Sequence, residues 1–185
     1  MATMMDTLVR AMDSDDLPAV RDVLRASNQA FAEVVPAPVF DAYLANVLDI
    51  EARQDLGLAF VAEHRGRVVG TITYYRDAND EGMGPRVEPG TAGIRAVAVH
   101  PDARGLGLGR RLATAAIEQA RADGKRAIVL HTWWLMSAAI ELYKAVGFRR
   151  DPSLDADTRA FFPTGVDDEV PVLAFRLDLA SDGEA

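Results

Sequence analysis

The sequence predicts a single α/β domain in which a mixed β-sheet is covered by helices. A hairpin of two strands comes early, and strand, helix, strand and helix then alternate. With 185 residues, the chain is long enough for one domain with a sizeable core. Its 49% hydrophobic and 26% charged residues are ordinary globular composition. We therefore expect one domain over residues 1–185.

The elements of the first part follow from apolar spacing and turn residues. Ser14 can cap a helix over 15–30, because Leu17, Val20, Val23 and Leu24 fall on one face. The other elements expected here are a strand over 7–12, a second helix over 39–53 after Pro36 and Pro38, a hairpin of strands 58–64 and 67–76 across the Arg65-Gly66 turn, and a polar loop over 77–90.

The second part begins with the apolar central strand of the predicted sheet. The elements expected are this strand over 93–99, a helix over 109–123, a strand over 127–132, a helix that begins near 136, an irregular passage over 149–170, a last strand over 172–179 and a frayed tail over 181–185.

The most informative segment joins the central strand to the following helix. Three glycines alternate there, at positions 105, 107 and 109. Glycines in such a junction expose backbone N–H groups, and the helix directs the positive end of its dipole to the same point. A Walker loop is excluded, because arginines and Leu112 stand where it needs Gly, Lys and a hydroxyl. A dinucleotide fingerprint is excluded because its third glycine would fall on Arg110 or Leu112.

Two sequence motifs, one in this loop and one downstream of it, indicate the family that the chain resembles. Arg104, Gly107 and Gly109 match Arg/Gln-x-x-Gly-x-Gly/Ala. Downstream, Met136-Ser137-Ala138-Ala139-Ile140-Glu141-Leu142-Tyr143-Lys144-Ala145-Val146-Gly147-Phe148 is similar to Asn-x-x-Ala-x-x-Leu-Tyr-x-x-x-Gly-Phe. With both motifs in order, the chain resembles the GNAT superfamily of acetyl-coenzyme A-dependent N-acetyltransferases. The resemblance covers most of the chain, and its specific part is 93–148.

The resemblance implies a three-layer fold with splayed central strands and acetyl-coenzyme A (acetyl-CoA) as cosubstrate, without a metal. The pantetheine arm of the cofactor would lie along the backbone of the central strand, and an N–H of Ala98 or Val99 would polarise the thioester carbonyl. The cofactor-binding residues implied are Val97, Ala98, Val99, Arg104, Gly105, Leu106, Gly107, Leu108, Gly109, Arg110, Arg111, Ser137 and Ala139.

The catalytic residue that the resemblance implies is Tyr143, whose hydroxyl would protonate the departing thiolate. A phenol with a pKa near 10 stays protonated at neutral pH and can donate. The structural alternative is a helix tyrosine with a packed ring and a hydrated hydroxyl.

The sequence departs from the family pattern at the general base. Many relatives carry a glutamate at the start of the central strand, where this chain has Gly93. His131 is one candidate for the base, because its side chain titrates near neutrality. The alternatives left open are Glu63, Glu88 and Glu33.

A second departure lies in the loop before the downstream motif. Met136 stands where the family often has a cofactor-binding asparagine, so Ser137 or Thr132 would supply that contact. Trp133 and Trp134 either wall an acceptor pocket or pack at a subunit interface.

Charge and composition exclude several classes. A net charge of −8 argues against a nucleic-acid partner. The chain nevertheless becomes basic around the glycine loop, which suits a polyphosphate cofactor there and amine substrates elsewhere. The absence of cysteine excludes disulfides, and three scattered histidines indicate no metal site. No apolar run is long enough to span a membrane and no signal peptide is evident, so we expect a cytoplasmic protein, monomer or homodimer.

Two functions remain from the sequence. The first is an N-acetyltransferase acting on a small-molecule or peptide amine by direct transfer. The second is a catalytically silent acyl-CoA-binding sensor or interaction domain, which the missing glutamate permits. We also expect the passage over 149–170 to form a flap over the acceptor site, with Phe161 and Phe162 as apolar contacts and with acidic residues, Asp155, Asp157, Asp167, Asp168 and Glu169, that attract an amine. The alternative left open is that the two phenylalanines fill the core or a dimer seam and that the acids are only solvated.

Overall fold

The computed structural model describes residues 6–162 and 170–179. Its strands are β1 (Thr7–Ala11), β2 (Gly57–His64), β3 (Arg67–Tyr75), β4 (Thr91–Val99), β5 (Ala127–Trp133), β6 (Arg149–Arg150), β7 (Ala156–Asp157) and β8 (Pro171–Asp178). Its α-helices are α1 (Leu17–Asn28), α2 (Ala37–Leu48), α3 (Ile50–Gln54), α4 (Leu108–Ala122), α5 (Ser137–Ala145) and α6 (Thr158–Phe161).

The strands form one mixed sheet in the order β1-β2-β3-β4-β5-β8-β6, and β7 also pairs with β8. Neighbouring strands are antiparallel except for β4 and β5, which run parallel. The hairpin of β2 and β3 turns at Arg65 and Gly66, both with positive φ. The predicted α/β class with an open mixed sheet is therefore confirmed.

The parallel strands β4 and β5 separate part-way along their length. Their pairing runs from Thr91 with Ala127 to Ile94 with Leu130. Both strands continue beyond this point, so the predicted splay of the central strands is present. At the same place Ala96 adopts a φ of 53°, and the register with β3 shifts. This β-bulge inserts one residue and bends the strand.

Helices cover both faces of the sheet. One core packs α4 and α5 against the sheet around Leu108, Leu112 and Ile117. On the other face, Val20, Leu24 and Val47 of α1 and α2 pack against the sheet. The result is the three-layer arrangement expected from the family resemblance. No helix within the described ranges is both long and apolar enough to cross a bilayer.

Several predicted boundaries need correction, for local reasons. The helix expected over 39–53 divides into α2 and α3, because Asp49 leaves helical geometry and its side chain accepts a hydrogen bond from the backbone N–H of Ala52. A 3-10 turn, Ser14–Asp16, precedes α1, and Asp13 rather than Ser14 caps it. The loop expected over 77–90 contains a second 3-10 turn, Ala78–Glu81. The irregular passage contains β6, β7 and α6.

Candidate active site

A cavity of about 500 Å³ opens where β4 and β5 separate. Residues 95–99 of β4 form one wall and residues 131–133 of β5 form the other. Helices α1 and α2 contribute Leu24, Asn28 and Tyr43, and the start of α5 contributes Ser137. The separation of two parallel strands thus brings unpaired backbone, aromatic side chains and charged groups into one space.

The loop between β4 and α4 has the geometry of an anion-binding turn. Gly105 and Gly107 have φ values of 80° and 72°, and a Cβ built on either would meet no atom within 4 Å. Gly107 is the N-cap of α4 and provides no side-chain cap. The first N–H groups of this helix therefore have no partner inside the helix and face the loop.

The structure brings together about half of the cofactor-binding residues that the sequence predicts. Those that line the cavity are Val97, Ala98, Val99, Arg104, Gly109, Ser137 and Ala139. Gly105, Leu106 and Gly107 lie in the adjoining loop, and the Leu108 side chain is buried in the core. The side chains of two others bind elsewhere, because Arg110 donates to the Ala145 carbonyl and Arg111 to the Thr7 hydroxyl. Their backbone N–H groups remain in the first turn of α4.

Tyr143 of α5 lies in the cavity wall. Its ring packs against Phe148 and Phe175, with centroid distances of 6.0 and 6.4 Å. Burial raises the pKa of its hydroxyl, and the neighbouring Tyr43 and Glu81 raise it further. The phenol therefore remains protonated throughout the physiological range, as a proton donor must.

A buried carboxylate and an imidazole, those of Glu81 and His131, also line the cavity. His131 Nδ1 is 3.2 Å from Glu81 Oε2, and Nε2 is 3.1 Å from the Leu154 carbonyl oxygen. Because both of these oxygens accept, both ring nitrogens carry hydrogen when Glu81 is ionised, and the imidazole is a cation. Burial alone would lower the pKa of His131, but its bonds to Glu81 and Leu154 raise it above the usual value.

Glu81 is the functional candidate that the sequence analysis missed. Its Oε1 is buried and has no hydrogen-bond partner among the described residues, although the side chain lines the cavity. Buried carboxylate oxygens are normally paired, so Oε1 is an unsatisfied acceptor in the cavity wall. The only signal in the sequence is a glutamate in a polar loop directly before the central strand.

The glycine at position 93 explains how Glu81 reaches this place. A Cβ built on Gly93 would lie only 3.1 Å from the Cα of Ala78. The bare backbone of β4 therefore lets the turn Ala78–Glu81 pack on the strand, and this turn carries Glu81 to the cavity. Gly84, with a φ of 84°, similarly passes so close to His131 that its Cβ would lie 2.3 Å from Nε2.

The other candidates for the base are directed elsewhere. Glu63 pairs with Arg10, and Glu88 pairs with Arg176. Glu33 is exposed and does not line the cavity. His131 is present at the site, but as the partner of a carboxylate.

Aromatic side chains form part of the cavity wall. Trp133 is buried, and its ring lies 4.1 Å from that of Tyr43 and 6.5 Å from that of Phe31. This supports the pocket-wall alternative for Trp133, whereas Trp134 is 57% exposed. Met136 also lines the cavity, and its sulfur accepts a hydrogen bond from the Thr132 hydroxyl.

The structure describes the expected flap segment as far as Phe162 and again at Val170. Phe162 is buried and packs edge-on against Tyr43 of the cavity wall, at 6.5 Å. The acids do not form a free negative surface, because Asp155 pairs with Arg150 and Asp157 with Arg159. The remaining acids, at positions 167–169, lie outside the described residues.

The comparisons with known proteins agree with this geometry. The model of the acetyltransferase (GNAT) family matches residues 18–148, which is more than half of the chain. The chain belongs to the GNAT acetyltransferase family. The solved paiA N-acetyltransferase of Thermoplasma acidophilum, in complex with coenzyme A, has the same fold, with a TM-score of 0.66 and 13% identity over 94% of this chain and 99% of the other.

Two relatives are more similar in sequence. The L-methionine sulfoximine/L-methionine sulfone acetyltransferase of Salmonella typhimurium is 35% identical over 99 residues, 53% of this chain and 54% of that protein. The mycothiol acetyltransferase of Thermobispora bispora is 36% identical over 92 residues, 49% of this chain and 30% of that protein. The match to this GNAT chain thus spans between about a third and a half of these curated relatives.

The paired geometry predicts that Glu81 controls the protonation of His131. A raised pKa stabilises the fold below the unfolded value of about 6.5, and this stability is lost as the pH rises through the folded value. In Glu81→Gln we expect the pKa of His131 to fall. Burial and the Arg95 charge lower this pKa, and the carboxylate that raises it is then absent. NMR titration of the imidazole and urea unfolding across this range measure both effects. An unchanged titration would show that the pair does not form in solution.

Proposed function

We propose that this chain is an N-acetyltransferase that transfers an acetyl group from acetyl-CoA directly to the primary amine of a small molecule or peptide. The observation that carries the proposal is that one cavity is lined by Arg104 and Gly109, by Tyr143, and by Glu81 and His131. A phosphate-binding loop, a proton donor and a buried carboxylate are thus connected. The acetyltransferase domain that we propose covers residues 1–185.

The residues present fit acetyl-CoA. The open space beside Gly105 and Gly107 leaves room for phosphate oxygens against the backbone. The free edge of β4 over 95–99 offers N–H and C=O groups to the amides of the pantetheine arm. When bound, acetyl-CoA supplies an acetyl thioester activated for attack by an amine.

Two residues, Glu81 and Tyr143, carry out the proton transfers. Glu81 Oε1 accepts a proton from the acceptor ammonium, and His131 holds the Glu81 side chain in place. The freed amine forms the new C–N bond to the acetyl carbon as the C–S bond breaks. The sulfur takes a proton from Tyr143, and a second amine proton restores the phenol through solvent. Overall, one proton is released for each amide formed.

The silent-binder alternative depends on the absence of a glutamate at position 93. Glu81 provides a carboxylate in the same cavity, and this favours the enzyme. The names of relatives, which include an acetyltransferase for amino-acid analogues, also support a small amine acceptor. A thiol-release assay across an amine panel tests the proposal, and acetyl-CoA binding without any turnover would favour the sensor.

The glycine loop predicts that Gly107→Val loses acetyl-CoA binding. Valine is strained at a φ of 72°, and its branched side chain would fill the phosphate space. For the unaltered chain, a ligand at one hundred times its Kd stabilises the fold by about 2.7 kcal/mol, and the variant should lack this gain. Gly66→Val is the matched control, since Gly66 has a φ of 73° and open surroundings in a distant hairpin turn. Equal ligand stabilisation of the two variants would contradict the assignment.

Tyr143→Phe tests the proton donor. The change keeps the ring against Phe148 and Phe175 and removes only the hydroxyl. We expect kcat to fall by about 10²–10⁴-fold with little change in acetyl-CoA affinity. Tyr74→Phe is the control, because Tyr74 is a buried tyrosine outside the cavity that donates to Asp123. Equal kcat values in the two variants would exclude Tyr143 as the donor.

Glu81→Gln tests the base. The amide keeps the size of the side chain but accepts no proton at working pH. We expect kcat/KM to fall by about 10²–10⁴-fold with little change in acetyl-CoA affinity. Glu88→Gln, in the same loop and paired with Arg176, should retain the rate of the unaltered chain. An unchanged kcat/KM in folded Glu81→Gln would exclude Glu81 as the base.

A further inference from the structure

The acceptor part of the cavity contains a second charged group, which the proposed reaction does not use. Arg95 of β4 lines the cavity and donates hydrogen bonds to the Asn46 side chain and to the Glu81 backbone carbonyl, the latter at 3.3 Å. Both partners are neutral. Among the described residues, no carboxylate lies within ion-pairing distance of this guanidinium. Its charge therefore remains uncompensated at the wall of a ligand-sized space.

A buried arginine reinforces this positive region. Arg53 of α3 is only 6% exposed, and its Nη1 donates to the backbone carbonyls of Asn46 and Asp49. Its Nε has no hydrogen-bond partner within the described ranges. Burial and the nearby Arg95 lower the pKa of Arg53 to about 10. Two guanidinium groups that destabilise each other create a site that favours an anion.

The charges in the cavity wall also restrict the acceptor. Arg95 and Arg104 outnumber Glu81 among the side chains that line the cavity, although the chain as a whole carries −8. Arg104 lies at the cofactor end, whereas Arg95 contacts the main chain of Glu81 itself. Arg95 and Glu81 are therefore adjoining groups of the cavity wall, one positive and one a carboxyl group. A molecule with an ammonium and a carboxylate on neighbouring atoms matches both, whereas a second ammonium would face Arg95.

The rest of this part of the cavity is apolar. Phe31, Tyr43, Met83, Trp133 and Leu135 pack together around it. Such walls favour an apolar or aromatic side chain and provide little for a charged one.

We propose that the acceptor is an α-amino acid with an apolar side chain, whose carboxylate binds Arg95 while its ammonium meets Glu81. This inference rests on the proposed acetyltransferase function and names its substrate class.

The experiment compares acceptors that share one side chain. Thiol release is measured with L-phenylalanine, L-phenylalaninamide and phenethylamine, and each kcat/KM is referred to the fraction of the acceptor present as the ammonium, the form that meets Glu81. An L-leucine series repeats the comparison, and a diamine and a peptide with a free N-terminus complete the panel. We expect the free amino acids to exceed their amide and decarboxylated analogues by about 10- to 100-fold, because a charge-assisted hydrogen bond is lost without the carboxylate.

Arg95→Met should remove this preference, measured in the same variant as the ratio of kcat/KM for L-phenylalanine to that for phenethylamine. Arg95→Lys, which keeps the charge but not the planar fork, should retain part of it. Arg149→Met is the matched control, since Arg149 is exposed on β6 and absent from the cavity wall, and it should leave every ratio unchanged. Circular dichroism establishes that each variant is folded. The comparison with the unaltered chain decides the question even if Arg95→Met does not fold.

The outcomes separate the two proposals. Turnover of phenethylamine, the diamine or the peptide at least as fast as the free amino acids would overturn the carboxylate inference and leave the acetyltransferase proposal intact. A preference that persists in folded Arg95→Met would also overturn it. Acetyl-CoA binding with no turnover of any acceptor would instead overturn the proposed function.

Discussion

The incomplete pairing of β4 and β5 is the constraint on which the rest of the site depends. Pairing stops after Ile94 and Leu130, and Ala96 takes up the extra residue of a bulge with positive φ. The bulge also sets which side chains face which layer: Ile94 and Val97 share the core beside α4, whereas Ala96 and Ala98 face α1 and α2. Without it, the two strands would close and their backbone groups would bond to each other rather than to a ligand.

The Glu81 carboxylate reaches the same region from a loop rather than from the strand. Gly93 has no side chain, and the turn Ala78–Glu81 packs in the space that a side chain would occupy. His131 of β5 contacts the Glu81 carboxylate through Nδ1. Its Nε2 contacts the Leu154 carbonyl, which lies in the passage before β8. A carboxylate buried in this way depends on its cationic partner, because an unpaired buried charge is strongly destabilising. The pair therefore depends on the packing of three separate segments against one another.

The electrostatic character of the cavity differs from that of the whole chain. The acidic surplus lies largely at the surface, and several of the acids near the site are paired with arginines, as Asp155 is with Arg150. Inside, Arg95 and Arg104 are available to anions at the two ends of the cavity. The net charge of the chain consequently governs how strongly a charged molecule is attracted from a distance. The ion pairs near the cavity determine which charged side chains remain free to contact it.

The sequence by itself determined the α/β class, the glycine loop and the place of Tyr143, because each depends on residues close together in the chain. Alternating glycines after a strand and a helix with its motif residues on one face are local patterns. Only the tertiary structure decided the bulge at Ala96, the division of the second helix at Asp49 and the partner of His131. Glu81 and His131 are 50 positions apart, and their contact arises from how a loop packs on a bare strand. Such pairings depend on the free energy of the whole packed fold, which no single segment encodes.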